Sequence, residues 1–186
     1  MRSFFMVFSR VCAGILIFAS FVYLVVPSPS FPQQPPDSVQ SIETGDSEVT
    51  QVRRAYFTNY SRAQALQYYQ DKIRTGILPV PTYRLNYPPE DAQMMIRDQT
   101  RSTFLEEIVH PFRESVFVNG FEPKVAKDAI NYRGIPYRQK ITIKYNSSSI
   151  FLRIPIILLA VVLFLVISRE IFRTTMRLIQ GCFCRY

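Results

Sequence analysis

Residues 11–26, VCAGILIFASFVYLVV, run for sixteen positions without a charge, and residues 150–168, IFLRIPIILLAVVLFLVIS, form a second apolar block near the other end of the chain. Both are apolar all round rather than along one stripe, a pattern that only lipid or a large protein interior can cover. As a helix the first spans about 24 Å at 1.5 Å per residue, a little under the roughly 30 Å hydrocarbon core of a bilayer. Phe4, Phe5 and Phe8 extend it beyond Arg10, and Pro27 ends it. In the second block Pro155 falls in the first turn, where a missing N–H costs little, and Arg153 near the outer end can reach the interface along its apolar stem. The pattern predicts two transmembrane helices, 11–26 and 150–168.

Between them the pattern changes several times. Residues 27–51 hold Pro29, Pro32, Pro35 and Pro36, then Asp37, Glu43, Asp46 and Glu48 before the first cation, Arg53. This composition predicts a Pro-rich acidic linker, too poor in apolar residues to order itself. Val52, Ala55, Tyr56, Tyr60, Ala63, Leu66, Tyr69 and Ile73 approximate helical spacing, so 52–75 is expected to be a helix. Residues 78–89, punctuated by four prolines, are expected to be an extended connector. A second helix is expected over 90–109, with Glu90 and Asp91 at its positive end and His110-Pro111 beyond it.

From there the period turns to two. Residues 115–118 are read as a strand with a turn at Asn119-Gly120, 129–132 as a short strand with a turn at Arg133-Gly134, and 135–145 as a longer strand. Alternation along that last strand puts Tyr137, Ile141, Ile143 and Tyr145 on one side and Arg138, Lys140, Thr142 and Lys144 on the other. The expected fold is a small α+β domain over 52–149, two helices followed by a short antiparallel β-meander, held between two membrane helices.

Charge bears on orientation rather than on ligand class. The chain carries a formal net charge of +8, yet residues 28–149 contain 15 Lys and Arg against 13 Asp and Glu. The excess lies in Arg2, Arg10, Arg153, Arg169, Arg173, Arg177 and Arg185, which flank the apolar blocks. That is the distribution of a membrane topology signal and not the clustered basic face of a nucleic-acid binder. Both tails (1–10 and the basic 169–186) are therefore expected in the cytosol, and the near-neutral middle outside it. Arg10, Arg153, Arg169, Arg173 and Arg177 are the expected membrane-interface residues. Arg169, Arg173 and Arg177 recur every four residues, so on a helix they form one stripe, suited to an anionic inner leaflet. A cleaved signal peptide is the rival for the first block, but Pro-Ser-Pro-Ser-Phe-Pro after Val26 offers no small-x-small site, which favours a signal anchor.

Candidate chemistry adds little. The cysteines are Cys12, Cys182 and Cys184, none in the middle domain, so that domain holds no disulfide of its own. Cys182 and Cys184 stand where palmitoylation occurs in eukaryotes, and two thiols alone are a weak metal signal. No phosphate loop, H-E-x-x-H, G-x-S-x-G or EF-hand pattern is present, and His110 is the single histidine.

The expected protein is thus non-catalytic, without cofactor or evident small-molecule substrate. It reads as a structural or scaffold subunit of a cell-envelope or organelle membrane complex, touching lipid, other membrane proteins or a second copy of itself. The candidate contact surface is Arg138, Lys140 and Lys144 with Tyr56 and Tyr60. The alternatives are a two-span accessory for polysaccharide chain length or transport, and a membrane-anchored hydrolase drawing on Glu106, Glu107 or His110.

Overall fold

The computed structural model describes residues 2–46, 52–74, 81–97 and 99–183, with side chains described from 11 to 175 within that set. It divides into two compact units, Ser28–Ser148 and a helical unit of Met1–Pro27 with Ser149–Tyr186.

The Ser28–Ser148 unit is a small α+β domain on a six-stranded antiparallel sheet. Its strands are β1 (Val39–Gln40), β2 (Arg53–Thr58), β3 (Tyr83–Tyr87), β4 (Phe104–Val109), β5 (Ser115–Phe121) and β8 (Gln139–Asn146), in the order β1-β2-β8-β5-β4-β3. β6 (Ile130–Tyr132) and β7 (Ile135–Tyr137) form a separate hairpin, as the turn at Arg133-Gly134 predicts; both turn residues have positive φ, 55° and 79°. Pleating sends alternate residues to opposite faces. On one face Tyr56, Phe104, Ile108, Val116, Val118, Ile141, Ile143 and Tyr145 pack against Ala65, Leu66, Tyr69 and Ile73 of helix α2 (Arg62–Arg74). On the other, Leu105 and Phe117 pack against Ala92 and Ile96, which belong to the short helix α3 (Ala92–Met95) and its C-cap. A fully buried side chain of this size contributes about 1.5–3 kcal/mol, and the two clusters explain why a domain without disulfides holds together.

Several sequence expectations fail here, for identifiable reasons. The helix expected over 52–75 is a strand followed by a helix. β2 is buried on both faces, so it shows no clean alternation, and its apolar residues read as helical spacing when joined to those of α2. The true helix start is written in Ser61-x-x-Gln64. The Ser61 N–H and Oγ donate to Gln64 Oε1 at 2.8 and 3.0 Å, and the Gln64 N–H donates to Ser61 Oγ at 3.4 Å, a reciprocal capping box. The helix expected over 90–109 stops at α3; Arg97 takes φ of 59°, and Phe104–Val109 is β4, again buried on both faces. Tyr83–Tyr87, read as connector, is strand β3. Residues 135–145 are two strands interrupted at Arg138.

Asn119-Gly120 is no turn but the interior of β5. Phe104, directly opposite on β4, lays its ring where a Cβ on residue 120 would stand, so only glycine fits. Gly120→Ala is expected to destabilise the domain by about 1–3 kcal/mol through overpacking. Adding Phe104→Leu should restore part of the loss in thermal unfolding, because the smaller side chain vacates the space.

The linker expectation also fails. Residues 28–46 form a strap around the β2 edge of the domain. The ring of Phe31 meets Tyr145 edge-on at 6.2 Å beneath the Arg54 guanidinium, and Tyr68 donates to the Gln34 carbonyl at 2.8 Å. Asp37 accepts from Thr58 Oγ1 at 2.9 Å and the Asn59 N–H at 3.1 Å, β1 then pairs with β2, and Glu43 and Asp46 reach Lys140. Asp37, Glu43 and Asp46, which resemble a solvating linker, are the groups that dock it; Glu48 lies outside the described residues.

In the helical unit, α4 (Ile150–Phe183) contains the second expected span and α1 (Arg2–Val25) the first up to Val25. Among the described residues one helix, over Ile150–Thr175, is long and apolar enough to cross a membrane; α1 contributes the shorter apolar stretch Val11–Val25. Pro155 stands inside α4 rather than in its first turn. The helix continues past residue 168 to Phe183, so the beginning of the basic tail is an extension of α4.

Candidate functional site

Of the residues expected to form a cationic contact face on β8, Lys140 and Lys144 are internal fastenings. Lys140 lies 2.6 Å from Asp46 Oδ2 and 3.2 Å from Glu43 Oε2, with its ammonium 5.3 Å from the centre of the Phe57 ring. Lys144 donates to the Met95 carbonyl at 2.7 Å, which ties α3 to the sheet. Arg138, just before β8, is half-exposed and pairs with Glu122 at 2.7 Å, and Thr142 is buried. This face is covered by residues 41–46, the β6–β7 hairpin and α3, elements distant in sequence. Arg53 belongs to the same set, donating to the Ile96 carbonyl at 2.7 Å and to the Gly45 carbonyl.

The tyrosines are likewise structural. Tyr56 is 1% exposed and lies in the α2-side core. Tyr60 is half-buried against that core, its ring edge-on to Tyr68 at 6.4 Å. Burial raises the phenol pKa of Tyr56, and raises that of Tyr69 well above the usual value, so both stay protonated in the physiological range. The expected surface therefore does not exist as one patch.

The acidic residues and the histidine are drawn into two separate clusters. Buried Glu106 accepts from Arg62 Nε at 2.8 Å and pairs with Arg84 Nε at 2.7 Å, both guanidiniums half-exposed. Arg62 also stacks over Phe104 at 5.0 Å and donates to Asn86 at 3.2 Å, bordering a cleft of about 350 Å³ with Tyr87, Pro88 and Pro89. Glu107 projects to the opposite face, where it accepts from the Tyr87 hydroxyl at 2.8 Å; that bond chiefly, with some burial, pushes the phenol pKa up to about 12.

The second cluster sits at the β4–β5 turn. His110 and Glu114 are both almost fully buried, with Nδ1 2.8 Å from Glu114 Oε1 and Nε2 3.2 Å from Thr82 Oγ1. Glu114 also meets Arg113 at 3.1 Å and accepts from the Ser28 hydroxyl at 2.8 Å. Burial alone would raise the Glu114 pKa. Hydrogen bonds from His110 and Ser28 and the charges of Arg113 and His110 together outweigh it, so the carboxyl titrates below its usual range. An ionised carboxylate only accepts, so Nδ1 carries the proton. With both members buried, this arrangement pins the turn to the strap. The Ser28 hydroxyl also lies 3.4 Å from the Ser148 carbonyl, so the first and last residues of the domain meet at this one turn.

Of the expected interface arginines, Arg153 does something different from reaching outward. It is buried, and its Nη1 donates to the carbonyls of Leu24 and Val26 at 3.3 and 3.0 Å. These are carbonyls at the end of α1, which lack helical partners and carry the negative end of its dipole. Arg153 thus caps α1 and ties it to the first turns of α4. Arg169 and Arg173 are exposed, the latter 2.8 Å from Glu170. The side chains of Arg10, Arg177 and Cys182, and all of Cys184, lie outside the described residues.

Sequence reading missed Arg62, Arg84, Glu114 and Phe112. Glu106 within the apolar run FLEEIV was the available signal for the first pair, since a carboxylate there requires a cationic partner. No protein-family model, curated protein or solved structure matches this chain. The class that the fold itself defines is a small α+β domain with an antiparallel sheet, joined to an apolar helix long enough to cross a membrane.

Proposed function

We propose that the protein is a two-span membrane protein that presents its α+β domain outside the cytosol as a non-catalytic contact module of a membrane-bound assembly. The observation that carries this is α4. Leu158, Leu159, Val162, Leu163, Phe164, Leu165, Val166 and Ile167 are all about half exposed or more, around the whole helix circumference, and a water-soluble monomer rarely tolerates so large an apolar surface. Lipid is the solvent that suits it. Its 34 residues extend about 50 Å, enough to cross a roughly 30 Å core and carry Arg169 and Arg173 to the far headgroups. The short apolar part of α1, capped by Arg153, completes a helical hairpin, and the arginine distribution puts both tails in the cytosol.

The contact role is supported by the sheet. β3 is the edge strand of the described sheet, with Tyr83 and Leu85 exposed on it, whereas the opposite edge is the two-residue β1. An open edge strand with apolar side chains is a template for strand addition. The groups a hydrolase would draw on are engaged elsewhere: Glu106 by two arginines, Glu107 by Tyr87, and His110 by Glu114. Full-length chain in native membranes should stay in the pellet after alkaline carbonate. With Cys12, Cys182 and Cys184 changed to Ser, a Leu85→Cys variant labelled with a short maleimide–diazirine and irradiated should give one defined higher-mass adduct that Val125→Cys in the same background does not. Release by carbonate would refute the membrane reading, and a monomer alone at both positions would refute the contact reading.

A further inference from the structure

The β4–β5 turn is built inside out. The Arg113 N–H donates to the His110 carbonyl at 3.0 Å, closing a four-residue turn His110-Pro111-Phe112-Arg113. Proline at the second position and a positive φ at the third, 60° at Phe112, are the marks of a type II turn. The third position of such a turn favours glycine or asparagine; a bulky aromatic there is a backbone outlier held at a cost. Surface turns usually expose their charges. Here Arg113 and Glu114 are buried and paired with each other and with His110, while Phe112 is 78% exposed.

The location is as informative as the geometry. Ser28 and Ser148, the first and last residues of the domain, meet at this turn through the Glu114–Ser28 bond and the Ser28–Ser148 contact. The chain continues from them through Pro27 into α1 and through Ser149 into α4. Tyr83 lies at the same end of the sheet, paired with Val109, and is also exposed.

We propose that Phe112 and Tyr83 form a membrane-contacting tip, the two rings lodging among the headgroups and upper acyl chains of the outer leaflet. This rests on the bilayer reading above. Connectivity makes lipid the partner: the turn is pinned to the residues from which both spans depart, so the nearest apolar phase is the one the spans enter. Aromatic rings are suited to that layer. Burying the turn's charges removes the desolvation penalty that would keep it out. The Glu114–His110–Arg113 cluster therefore acts as the seat that aims Phe112 outward.

The protein contains no tryptophan, so single-tryptophan variants report position without background. Full-length Phe112→Trp, Tyr83→Trp, Val125→Trp and Leu159→Trp are reconstituted in two sets of phosphatidylcholine vesicles, with acyl chains brominated near the carbonyl end to read positions 112, 83 and 125 and near the terminal methyl to read position 159. Val125 is exposed and lies beyond the far end of β5, a strand about 20 Å long at roughly 3.3 Å per residue. Tryptophan at 112 and at 83 should emit at shorter wavelength and be strongly quenched, while Val125→Trp emits as in water and is not. If thermal unfolding shows that Phe112→Trp has lost the fold, Tyr83→Trp alone decides. Water-like, unquenched emission from both tip positions while Leu159→Trp is quenched overturns the membrane tip and leaves the two-span reading standing. An unquenched Leu159→Trp overturns the two-span reading itself.

Discussion

Glu114→Ala is expected to destabilise the domain by about 3–5 kcal/mol, the cost of stripping one partner from a buried charged cluster. In the folded protein Glu114 has contacts at 3.1 Å or less with three groups: His110 Nδ1, the Arg113 guanidinium and the Ser28 hydroxyl. Alanine leaves the Arg113 charge and the imidazole N–H buried without the acceptor that offsets their desolvation. For a domain of this size the loss corresponds to a drop of roughly 10–20 °C in thermal unfolding midpoint. Glu114→Gln retains the shape and one acceptor oxygen, so it should fall between wild type and alanine. The sign of the pH dependence follows from the direction of the carboxyl shift. Its pKa is lower folded than unfolded, so the contribution of Glu114 is complete above the ordinary carboxylate range, near 4.5. It is lost as pH falls through the lowered native value. Wild type should therefore lose stability in acid more steeply than Glu114→Gln. Equal midpoints for wild type and alanine would show that the cluster is not the pin described here.

The second large effect concerns α4. Leu159→Arg with Leu163→Arg places two charges four residues apart on an exposed face of the apolar helix. Each change costs about 3–4 kcal/mol at a helix centre on insertion scales, so the pair should prevent the helix from entering the bilayer. Cys182 and Cys184 then report the outcome. With Cys12→Ser as background, intact cells carrying the otherwise unaltered chain should protect both thiols from a membrane-impermeant maleimide. The double-arginine variant should leave them labelled, because the tail never crosses. Leu159→Phe with Leu163→Phe controls for changes of shape. Labelling of the unaltered tail from outside would reverse the proposed orientation.

What could be read in the chain beforehand divides along a physical line. Where a signal is local and strong, the reading survives. The apolar runs 11–25 and 150–168 both lie in helices, because a run of that density has few other conformations open to it, and the Arg133-Gly134 turn forms because its residues accept positive φ. Where both faces of a strand are covered, the reading fails. β2 and β4 lost the period-two signature once α2 packed on one face and α3 and the strap on the other. Ser61-x-x-Gln64 was a legible correction that the apolar spacing of 52–75 obscured.

The sequence by itself determined the presence of two apolar helices, the arginine asymmetry around them, and a central domain with no cysteine and little net charge. Only the tertiary structure decided which charges face solvent. Lys140 and Lys144 alternate along β8 like a solvated face, yet acidic residues from a distant segment and the carbonyl of Met95 turn them inward, while Arg138, just before the strand, stays half-exposed. His110, Glu114, Thr82 and Ser28 are scattered over more than eighty positions and become one buried cluster through strand register. Alternation specifies which face of a strand a residue takes; what covers that face is set by long-range packing, which no local pattern encodes.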